Sequence, residues 1–217
     1  RLVGSEMCIR DSSNATRDGA VGIGSHAKAR GDNSVYLGAT TTSVPNAGAT
    51  NVNSIAIGTS VESHGFSSVA IGGGSKALKD QAIAVGRGAK AKDVSTIAQG
   101  FSATANTESD IAIGTNSVAN GTRKSQSSCA KTNPSLPGGA TCEEGTAIAV
   151  GKNSNATGYS AISVGKDSSA SFDHAIAIGD SANATHIHSV AIGSAASAQN
   201  DGAFAGGYNA TASGKNS

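Results

Sequence analysis

Bulky side chains are nearly missing from this chain of 217 residues, which has no tryptophan, one methionine and only 3% aromatic residues. A conventional globular core takes much of its buried area from large apolar groups and is hard to fill from such a supply. Charge is scarce too, at 14% of residues with a net of +1, so the overall balance suggests neither a nucleic-acid binder nor an acidic-tailed protein. No run of 18 apolar residues is present, and no membrane-spanning helix is expected. The start of the chain lacks a charged segment followed by an apolar stretch and a small-residue cleavage site. If the protein is exported, its signal and its anchor are expected to lie outside this sequence. The three cysteines are not spaced like zinc ligands. Cys8 stands alone, while Cys129 and Cys142 are near enough in sequence to close a short loop in an oxidising compartment, worth about 2 to 4 kcal/mol if unstrained. Two free thiols is the alternative.

What the chain does have is glycine, 29 residues of it, and repetition. From Ser54 to Gly114 it reads SIAIGTSVESHGFS, SVAIGGGSKALKDQ, AIAVGRGAKAKDVS, TIAQGFSATANTES and DIAIG. The first apolar position of this phrase recurs at Val21, Val35, Ile55, Val69, Ile83, Ile97, Ile111, Ile148, Ile162, Ile176, Val190 and Phe204, and nine of the eleven gaps are 14 residues. A register this strict marks a repeat architecture, and a solenoid grows by adding turns, so one structural unit is expected. The two exceptions are gaps of 20 and 37 residues, which put insertions at about 40–53 and 122–145. The second is polar and contains Cys129, Cys142 and two of the three prolines. It reads as a loop leaving the scaffold, where recognition residues are often carried, with neutral decoration an equal alternative. Residues 1–12 do not fit the repeat and are set aside as a disordered or foreign preamble, leaving 13–217 as the folded unit.

Each 14-residue unit divides into two short alternating halves separated by turn residues, which predicts strand, turn, strand, turn. Seven residues after the motif glycine stand Gly31, Gly65, Asp93, Gly121, Gly158, Asn200 and Gly214, types that tolerate positive φ. On the second strand, Ala89 and Ala91 share one face and Lys90 and Lys92 the other. The expected core pairs the Ile and Val of strand one with the small residues of strand two. That arrangement turns a smooth Ala/Ser column outward, at Ala56, Ala70, Ala84, Ala112, Ala149, Ala177 and Ala191, and predicts it as a self-association face.

The phrases SIAIG, SVAIG, AIAVG and DIAIG, each followed by a GxxAxA-like half and returning at 14, resemble the YadA-like head of trimeric autotransporter adhesins over about Ala20 to Ser217. The resemblance implies an all-β fold, a left-handed parallel β-roll that assembles as a homotrimer on the bacterial outer surface. It also implies a role in virulence through binding of host extracellular-matrix proteins such as collagen, or of the host cell surface. The family's neck, coiled-coil stalk and β-barrel anchor are not in this sequence. Gln99 and Gly206 depart from the pattern at apolar positions. A spacer that lifts a more distal binding domain is the competing reading.

No catalytic constellation and no cofactor motif stands out, and no enzyme is expected. Gly72, Gly73 and Gly74 lack the GK[ST] of a phosphate loop. The five histidines, His26, His64, His174, His186 and His188, read as turn residues that form no column, and no metal site is expected. Lys28, Arg30, Lys76, Lys90 and Lys92 make the polar face basic towards the N-terminal half, a candidate surface for acidic matrix polymers or a device for solubility. An ice-binding solenoid would need a flat threonine ladder, and Thr104, Thr157, Thr185 and Thr211 do not supply a consistent one.

Overall fold

A three-residue strand, a turn, a two-residue strand and a second turn use up 14 residues and bring the chain back above its own start. The computed structural model describes residues 7–9, 13–40, 46–121 and 145–217. Among these, 26 strands run from β1 (Met7–Ile9) to β26 (Thr211–Ala212). The three-residue strands form one 13-stranded parallel sheet and the two-residue strands a second, each strand paired with the equivalent strand of the coils before and after it. Register holds without slippage: Ile83 pairs with Val69 and Ile97, and Lys90 with Lys76 and Thr104. At about 4.8 Å per rung, the twelve coils from Val21 to Phe204 span about 53 Å.

The repeat extends further upstream than the sequence suggests. Met7–Ile9 pairs in parallel with Val21–Ile23, one repeat ahead, so three residues of the supposed preamble belong to the roll. The first insertion is shorter than expected. Gly48–Ala49 already forms a regular rung with Glu62–Ser63, and residues 47–53 follow the coil path.

Two backbone features close each coil. The motif glycine has φ between +114° and +143° in Gly24, Gly38, Gly58, Gly72, Gly86, Gly100, Gly114, Gly151, Gly165, Gly179 and Gly193. At Gly100, for example, a Cβ would lie 2.4 Å from the carbonyl oxygen of Gly114 on the next rung. Gly100→Ala is therefore expected to cost about 3 kcal/mol, from the φ strain and the collision together, whereas Thr104→Ala on the outer face costs under about 0.5 kcal/mol. Chemical denaturation of the two variants checks this. The second feature corrects an expectation. The residues seven after the motif glycine do not carry the positive φ; it falls two residues later, on Asn33, Ser67, Ser95, His174 and His188 among others. Gly31, Gly65 and Gly158 instead let the next coil approach: a Cβ there would come within about 2 Å of backbone atoms of the coil above.

The interior is made almost wholly of methyl groups. Among the described residues, every buried apolar residue apart from Tyr36 and Val61 is alanine. Buried serines are hydrogen-bonded too, some to each other, as in the 2.7 Å Oγ–Oγ contacts of Ser63 with Ser68 and of Ser163 with Ser168, and others to the carbonyl three residues back, as Ser75 to Gly72 and Ser189 to His186. Tyr36 is the largest side chain inside, and its hydroxyl donates to the carbonyls of Ala39 and Gly58 at 3.2 Å each. Among the described residues no buried side-chain polar atom lacks a partner, as expected when the cost of an orphan is 1–3 kcal/mol.

Candidate interaction surfaces

The methyl core reverses the predicted faces of the first strand. Ala56, Ala70, Ala84, Ala112, Ala149, Ala177 and Ala191 point inward with no exposed surface, so they cannot form a contact between chains. The flanking Ile and Val residues point out. Ile83, Ile178 and Ile192 are 36%, 38% and 40% exposed, and Phe204 58%. The physical reason is the size of the coil. Strands of three and two residues enclose a slab only wide enough for methyl groups from both sides, and an isoleucine turned inward would meet the alanines of the opposite sheet. The second strand follows expectation, with Ala89 and Ala91 inside and Lys90 outside.

Two outward columns result, one through Val69, Ile83 and Ile97 and one through Ile71, Val85, Gln99 and Ile113. Together they make a straight apolar ridge about 53 Å long and about 7 Å between column centres. With side-chain width added, the strip projects on the order of 500 Å², near the top of what a solitary soluble protein leaves exposed.

The basic residues share the opposite sheet but not as an unbroken ladder. Lys28, Lys76 and Lys90 fall in one outward column, and Glu62 interrupts it. Lys76 Nζ lies 2.8 Å from the Glu62 carboxylate, and Lys92 Nζ donates to Asn106 Oδ1 at 2.8 Å. Arg30 borders a shallow polar cleft with Arg17, Asp32, Thr50 and Asn51. After Gly151 the same columns hold Asn155, Ser169, Asn183, Ser197 and Thr211, with no charge.

Three of the histidines do stack, contrary to the sequence reading. His174 and His188 are 14 residues apart and lie face to face, with ring centroids 4.9 Å apart and planes 8° apart. His186 stacks on Phe172 at 5.8 Å, and Tyr159 meets His174 edge-on at 5.4 Å. The spacing of 14 was the available signal. Parallel rings aim their nitrogen lone pairs in parallel, not towards a common point, and among the described residues no group of three or more His, Cys, Asp or Glu side chains could hold a metal. Cys129 and Cys142 fall outside the described residues.

Gly121 and Gly145, which flank the second insertion, are joined by a 2.9 Å bond from Gly145 N–H to Gly121 C=O. Beneath this junction sits Asp110, fully buried. In regular turns the residue before the strand donates its N–H three residues back, as Ala161 does to Gly158. At the insertion, Ala147 N–H donates to the Asp110 side chain, to Oδ1 at 2.8 Å. Oδ2 accepts from Thr107 N–H at 2.9 Å, Thr107 Oγ1 at 2.7 Å and Gly121 N–H at 3.3 Å. Burial raises the pKa of this carboxyl above the ordinary aspartate value, and the donated hydrogen bonds offset part of the rise.

A parallel β-solenoid with a 14-residue coil, a methyl core and an uncovered aliphatic ridge is thus the class defined by fold and surface. The YadA head domain repeat (2 copies) matches residues 13–39, 45–60, 63–89, 94–117, 108–123, 145–168, 156–182, 173–196 and 184–210. The chain belongs to the YadA head family, which places it among adhesin-type bacterial surface proteins. No curated protein matches it.

Proposed function

We propose that this chain is a non-enzymatic head segment of a homotrimeric surface adhesin, in which each aliphatic ridge is covered by sister copies and the polar faces and inserted loops meet host extracellular-matrix or cell-surface ligands, collagen among them. The observation that carries this reading is the ridge itself. A partner able to match a straight double column of β-branched side chains repeating every 4.8 Å or so is another roll of the same pitch. The Lys28, Arg30, Lys90 and Lys92 surface and the cleft beside Arg17 then remain on the outside, available to acidic polymers.

Solid-phase binding of the purified chain to collagen and other matrix proteins, with and without residues 122–144, tests the ligand half of this proposal. Saturable binding that drops at least tenfold on excision of the insertion is the expected result. A spacer role is favoured by the Lys76–Glu62 neutralisation and the uncharged C-terminal half of the polar face. Absence of all matrix binding by an intact assembly would establish the spacer instead.

A further inference from the structure

We propose that Gln99 sets the axial register between copies of this chain. The inference rests on the self-association reading above and extends it to how identical ridges avoid sliding past one another.

The twelve strands from Val21–Ile23 to Phe204–Gly206 present two outward positions each. Of these 24 positions, Gln99 alone is polar. Its two ladder neighbours in the column are Val85 and Ile113. It is exposed, and among the described residues its side-chain amide has no hydrogen-bond partner within the chain.

A ridge of near-identical rungs has a built-in ambiguity. Sliding one copy by a single rung, about 4.8 Å, sets Ile and Val against Ile and Val again, so apolar contact scarcely separates one register from the next. Gln99 removes the ambiguity. In register, the amides of neighbouring copies lie at one level, where each NH2 can donate to the next carbonyl oxygen. Out of register, every amide is buried against an aliphatic side chain without a partner, which disfavours the slipped form by roughly tenfold for each glutamine. A single buried asparagine fixes register in coiled coils by the same logic.

The test moves the polar level. Unlabelled wild-type chain and a 15N-labelled variant carrying Gln99→Ile with Ile57→Gln, three rungs away, are unfolded together, refolded and resolved by native mass spectrometry. Labelled and unlabelled wild-type chains, treated identically, mix at random. The wild-type and shifted chains are expected to sort, with mixed assemblies at least tenfold below the random proportion. A second placement, Gln99→Ile with Ile113→Gln, is expected to sort in the same way and covers the case in which Ile57→Gln fails to fold. Random mixing of either shifted variant with wild type would overturn the role of Gln99 while leaving self-association intact. If wild type alone gives only single chains, the ridge pairing fails first and the register proposal with it.

Discussion

Ala84→Glu is expected to unfold the coils around it, while Ile83→Glu, one residue away, leaves the roll folded and drives it to single chains. Ala84 is fully buried and faces the methyl slab between Ala70 and Ala98. A glutamate there has no room and would bury a carboxylate without a partner, a change costing several kcal/mol. Because each coil leans only on its neighbours, the loss is expected to spread to adjacent rungs. Ala177→Glu behaves alike. Ile83 stands on the ridge at 36% exposure, so its replacement costs the isolated roll little. In the assembly it sets like charges against an apolar surface, and dissociation of at least a hundredfold is expected. Lys90→Glu, on the far sheet, leaves both properties intact. Circular dichroism with light scattering on the four variants separates the outcomes. An Ala84→Glu chain that stays folded but dissociates would restore the opposite face assignment.

The second large effect is expected at the insertion. Asp110→Ala removes the acceptor for the Ala147, Gly121 and Thr107 N–H groups at a buried junction. With each orphaned donor costing about 1–3 kcal/mol, and Gly121 N–H still held by Thr107 Oγ1 at 2.9 Å, a loss of about 3 kcal/mol is expected. The same substitution in a chain lacking residues 122–144 should cost under about 1 kcal/mol. Excision restores the 14-residue spacing between Ile111 and Ile148 and sets Gly121 three residues before Ala147, the position whose carbonyl accepts in the regular turns. Denaturant unfolding of the four members of this cycle gives the coupling directly. The carboxyl also has a pH signature. Its folded-state pKa is raised, so its contribution is fully present below the unfolded aspartate pKa and is lost as pH rises through the folded value. Asp110→Asn is expected to remove that component, so the stability difference between wild type and variant should change in the acid range and flatten near neutrality.

The period of 14 was enough to give the coil, the parallel stacking and the places where the repeat is interrupted, though not the extent of the first interruption, because a strict repeat leaves few other ways to place strands. It did not give the direction of the first strand's side chains. Alternation allows Ile83 or Ala84 to point inward, and the usual preference for burying the larger residue chose the wrong one. The thickness of the slab decides, and thickness is visible only once both sheets are in place. The sequence did carry a hint, since Ala89 and Ala91 leave little depth for isoleucine opposite them. Asp110 was also legible in part: of the residues immediately before the twelve strands from Val21–Ile23 to Phe204–Gly206, it alone is acidic. Its task is not, because it depends on where the chain leaves and rejoins the roll. The stack of His174 on His188 and the pairing of Lys76 with Glu62 both needed only the count of 14, which puts each pair on adjacent rungs of one column.

Covering of the aliphatic ridge by sister copies is tested most directly by the mass of the wild-type chain in solution. Light scattering of the folded protein at micromolar concentration is expected to give about 63 kDa, three times the chain mass of 21.1 kDa. A well-folded particle of 21.1 kDa, with the Ile and Val columns open to solvent, would contradict it.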